Sequence, residues 1–92
     1  MIDPSLPGAD LVAKGIADLA RGERTAEAWL VSIGAERLRF RGGIDVPSPL
    51  PDPEGGLYEW LASADPDTAH SRYNALLRRL VSFERAAECA SR

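Results

Sequence analysis

Apolar residues recur along this chain at helical rather than strand spacing. Val12, Ile16 and Leu19 follow a four-then-three step and Leu11 widens the stripe, which predicts a first helix from about Ala9 to Arg21. Asp10 and Asp18 lie along it, and Gly22 sits where a left-handed glycine ends a helix. Gly15, inside it, costs about 1 kcal/mol against alanine and points to a close helix contact. Thr25 is an N-cap residue for a second helix running to Ile33 and stopped at Gly34, with Ala26, Trp29, Leu30 and Ile33 as its apolar face. Ala35 to Arg41 predicts a short third helix ended by Gly42-Gly43. The alternation Leu38, Arg39, Phe40, Arg41 also fits a strand, but no second convincing strand exists to pair with it, so helix is preferred.

Residues 1–8 hold Pro4, Pro7 and Gly8 and read as an extended lead-in. Between 44 and 53 stand Pro47, Pro49, Pro51 and Pro53, which exclude a helix or a central strand and predict a stiff, polyproline-like crossing segment. Gly55-Gly56 end that 44–56 connection, and a short helix follows over Leu57 to Ser63 with Leu57, Trp60 and Leu61 as its buried edge. Asp65-Pro66-Asp67 then supplies a cap, a proline at the first helical position and an acid in the first turn. The helix expected from Pro66 to Ala90 carries Ala69, Tyr73, Leu76, Leu80, Phe83, Ala87 and Ala90 at alternating spacings of four and three, a heptad seam. The elements together predict one all-α domain over 1–92, a compact bundle of four to five helices with a long C-terminal helix.

Composition narrows the setting. The chain has 92 residues and one cysteine, Cys89, so no internal disulfide forms and a reducing, cytoplasmic compartment is expected. The start of the chain lacks a basic region followed by an apolar stretch, and no apolar run is long enough for a membrane span, so neither a signal peptide nor a membrane partner is expected. Net charge is −3, unevenly spread: residues 42–67 carry six acids and no base, while 68–92 carry five arginines against Glu84 and Glu88.

Catalytic chemistry has little to work with. His70 is the only histidine, and on one straight helix it lies far from Cys89, so neither a Cys–His pair nor a histidine-based metal set is available within the chain. His70 with Asp67, Tyr73 and Asn74 is the one polar cluster, and its simpler reading is a first-turn histidine bonded to Asp67 or solvent. Asp65 and Asp67 are accounted for by capping, Glu84 and Glu88 by a solvated face, and no phosphate-binding glycine motif occurs. No cofactor and no metal are expected.

The expected function is therefore a non-enzymatic protein-interaction module, a small adaptor, regulator or antitoxin-like protein that self-associates as a homodimer through its C-terminal helix or binds another protein there. Its partner-binding residues would be Tyr73, Leu76, Leu80, Phe83, Ala87 and Ala90. In a single small domain such a seam is normally core, but a helix of about 25 residues is about 37 Å long and outreaches the others, so its C-terminal part around Phe83, Ala87 and Ala90 is the part expected to be open. The alternative is nucleic-acid binding through Arg72, Arg78, Arg79 and Arg85, against which the acidic chain weighs. A small enzyme or enzyme subunit using His70 comes third.

Overall fold

Five helices form among the described residues, each beginning close to a glycine, a proline or a capping side chain. The computed structural model describes residues 2–90, with α1 at Ala9–Ala20, α2 at Ala26–Ile33, α3 at Ala35–Gly42, α4 at Pro53–Ala64 and α5 at Ala69–Ala90. No strand occurs among the described residues. The all-α bundle that the apolar spacing predicts is the fold. Thr25 caps α2, its hydroxyl accepting from the Ala28 amide at 3.2 Å. Gly43 closes α3 in a left-handed conformation, φ 66°, where a side chain would be strained.

Two boundaries differ from the sequence expectation. The fourth helix starts at Pro53, not Leu57, because a proline at the first helical position needs no amide partner there. Gly55 and Gly56 are consequently helical rather than the end of the connection. Gly56 has a packing reason: the Trp29 ring of α2 lies against it, and a Cβ there would overlap the ring carbons. The last helix starts at Ala69, not Pro66. Asp65 turns the chain instead of capping a helix, its carboxylate accepting from the Asp67 amide at 3.2 Å and its carbonyl from Thr68 at 3.3 Å. The first helical bond of α5 then runs from the Arg72 amide to the Thr68 carbonyl at 2.9 Å.

α1 packs on α2, α2 on α4, and both α3 and α4 lie along α5. The α1–α2 crossing is close at Gly15, which abuts the Glu27 carbonyl and Val31, as expected of a glycine in a helix interior. Val12, Leu30, Val31, Leu38, Leu57, Leu61, Leu80 and Phe83 are the fully buried large apolar side chains. The proline segment is not one straight rod. Ser48 and Asp52 take φ 44° and 46°, turning it twice. It is pinned at Leu50, whose amide donates to the buried Ser32 hydroxyl at 3.0 Å while that hydroxyl donates to the Ala28 carbonyl at 2.8 Å.

Two buried acids complete the interior. Asp18 is fully buried at the α1–α2 junction, where it accepts from Lys14 Nζ at 2.7 Å, Arg21 Nη2 at 2.5 Å and Thr25 Oγ1 at 2.5 Å. The bond from Lys14, then that from Thr25, holds its carboxyl below the usual range despite burial. Glu84 is buried too, accepting from Arg37 Nε of α3 at 2.9 Å, which corrects its placement on a solvated face with Glu88. No helix among the described residues is long and apolar enough to cross a membrane.

Candidate interaction surface

The seam of α5 does not lie open. Leu80, Phe83 and Ala87 are buried, Tyr73 and Leu76 are half-buried, and of the expected partner-binding residues only Ala90 is exposed. The expectation of an uncovered C-terminal end is therefore corrected, and the cover has two sources. α3 runs along that end of α5, with Gly34 against Leu80 and Glu84 and Gly42 against Ala87. The lead-in folds back as well, with Gly8 against Phe83 and with Ile2 and Leu6 on a small groove of 190 Å³ that reaches Phe83, Ala87 and Ala90. At the other end Tyr58 of α4 meets Tyr73 edge-on, ring centroids 5.7 Å apart.

The arginines of α5 separate into two pairs. Residues seven apart fall about 20° apart around a helix, so Arg78 shares a flank with Arg85 and Arg72 with Arg79, and the flanks lie about 120° apart. Arg79 is engaged by Asp10 of α1 at 3.1 Å, and Arg78 Nε donates to the Asn74 carbonyl at 3.4 Å. Arg72 and Arg85 are exposed and make no ion pair among the described residues; Arg92 lies outside them. His70 is exposed, with Asn74 Nδ2 at 3.3 Å from its Nε2, and makes no hydrogen bond to Asp67. Among the described residues no group of three or more His, Cys, Asp or Glu could hold a metal ion.

The feature that stands out lies on α3. This helix buries one large side chain, Leu38, and at about 100° per residue Phe40 falls on the opposite side. Phe40 is 79% exposed, against 41% for Tyr58, 39% for Trp60 and 37% for Val81, the next most exposed large apolar residues among those described. Trp60, expected on the buried edge of α4, flanks that edge as Tyr58 does, so their exposure is that of boundary residues, whereas Phe40 is largely open to solvent. The Arg39 guanidinium carbon lies 5.7 Å from the Phe40 ring centroid, which holds both side chains near one another on the surface. Beside the ring runs a groove of 330 Å³ between α3 and the proline segment. Ala35, Val46 and Pro49 give it apolar walls, and Glu36, Arg39 and Asp45 stand around it as charged groups. None of these three makes an ion pair within the described chain.

Sequence reasoning named Phe40 only as part of an ambiguous alternation. The signal was available, because a helix that turns Leu38 inward must turn Phe40 outward, whereas a strand would put both on one face. Val46 and Pro49 joined the site through the bend at Ser48, which residue types alone did not reveal. No protein-family model, curated protein or solved structure matches the chain.

Proposed function

We propose that this chain is a non-enzymatic protein-interaction module of the cytoplasm, an adaptor or regulator that docks through the outer face of α3 and the adjoining proline segment. The observation that carries the reading is Phe40, a large aromatic 79% exposed beside an apolar groove. An aromatic side chain on a surface is a ready anchor for a partner, since a few buried aromatics and arginines dominate protein interfaces. The polar groups support it indirectly: Asp18 and Glu84 are committed to structural ion pairs, and His70 is exposed with Asn74 as its neighbour. Nucleic-acid binding through Arg72, Arg78, Arg79 and Arg85 loses support from the Arg79–Asp10 pair and from the division of the four over two flanks.

Affinity capture from the source cell, with and without nuclease, tests this. The expected result is a partner protein retained after nuclease by the native chain and lost with Phe40→Glu. Retention that disappears with nuclease, and with Arg78→Glu and Arg85→Glu, would overturn the reading in favour of nucleic acid, whose binding should also fall steeply with salt.

A further inference from the structure

We infer that the occupant of the α3 face is a second copy of this chain, arranged about a two-fold axis so that Phe40 of each copy enters the groove of the other. The inference rests on the interaction reading above and names its partner. A two-fold interface uses the same patch on both subunits, so the patch must complement itself in shape and in charge. This one does both. It places a protruding ring directly beside a 330 Å³ groove with apolar walls. It also holds one base, Arg39, and two acids, Glu36 and Asp45, all exposed and all without an ion pair inside the described chain. A partner of one charge sign would attract part of this set and repel the rest. A second copy rotated by half a turn sets Arg39 of each subunit against the carboxylates of the other, and both signs find partners.

Size sets the strength. α3 has eight residues, about 12 Å of helix, and the proline segment adds a narrow border. An interface on that footprint falls at or below about 1,200 Å² in total, where association is weak, with Kd on the order of 10 µM or higher.

Sedimentation velocity on the full chain, across concentrations from well below to well above about 10 µM, reads this directly. The native chain is expected to pass from monomer to dimer, and Phe40→Ser to weaken association by at least about 30-fold. The charged groups give an independent arm. Arg39→Glu makes the patch wholly acidic, and the double variant Glu36→Arg/Asp45→Arg makes it wholly basic. Each should stay monomeric alone, and the two should pair when mixed; circular dichroism confirms that all variants keep native helicity. A chain that remains monomeric throughout, a dimer indifferent to Phe40→Ser, or charge variants that do not pair on mixing would overturn the inference. A monomer that still captures another protein through Phe40 would overturn only the identity of the partner and leave the interaction module standing.

Discussion

At the scale of single residues, two buried carboxylates make different claims on their neighbours. Asp18 holds three donors, and its folded pKa lies below the value of about 3.9 expected in the unfolded chain. A depressed carboxyl contributes stability above its unfolded pKa and loses that contribution as pH falls through the folded one. Asp18→Asn should therefore lower the thermal midpoint at pH about 7, and the gap to the native chain should narrow as pH drops below about 4. Thermal unfolding followed by circular dichroism at the two pH values reads it, and a gap independent of pH would show that Asp18 acts by shape alone. Glu84 depends on one partner, Arg37, which is itself 43% exposed. Arg37→Ala leaves a carboxylate buried without its donor and should cost about 1–3 kcal/mol in urea unfolding. Glu84→Gln removes the charge along with the need to neutralise it and should cost less.

Among the elements, the helices with strong spacing were legible, and the ends that were not are the starts of α4 and α5. The stripe of α1, the cap at Thr25 and the stop at Gly43 are local events, written within a few residues of where they act. The reason for Gly56 inside α4 is Trp29, which lies 27 positions before it in the sequence and against it in space. A glycine pair after prolines resembles a turn until that ring is placed. The same contact separates two neighbouring glycines of one helix. At Gly55 a new Cβ meets only the Asp52 carboxylate, a flexible group, so Gly55→Ala should be neutral or stabilise by up to about 1 kcal/mol through helix propensity. At Gly56 it meets the Trp29 ring, so Gly56→Ala should destabilise although the propensity gain is identical. Equal midpoints in chemical unfolding would show that Trp29 moves aside freely. For α5 the seam was read correctly as a heptad pattern, but a pattern does not say who covers it. The cover comes from α3 and from a lead-in whose few apolar residues, Ile2 and Leu6, show no periodicity.

For the whole molecule, the question of what is core and what is surface reduces to its two phenylalanines. The radius of gyration, 12.5 Å, is close to that of a fully packed chain of this length, about 12 Å, and Leu80, Phe83 and Ala87 of α5 are buried. Phe83 is fully buried beneath the lead-in and faces the same interior as Leu80 and Ala87, while Phe40 projects from the far side of α3. One substitution made at both positions should therefore have opposite consequences. Phe83→Glu removes a large apolar side chain from the core and puts a carboxylate in its place, a change expected to cost at least about 4 kcal/mol. A domain of this size is stable by about 5–10 kcal/mol, so the variant should lose much of that margin and melt at a far lower temperature by circular dichroism. Phe40→Glu trades one exposed side chain for another and should leave helicity and midpoint within about 0.5 kcal/mol of the native chain. Loss of association without loss of fold belongs to Phe40, and loss of fold belongs to Phe83. A monomeric Phe83→Glu with the thermal midpoint of the native chain would reverse that assignment and return the interface to the seam of α5.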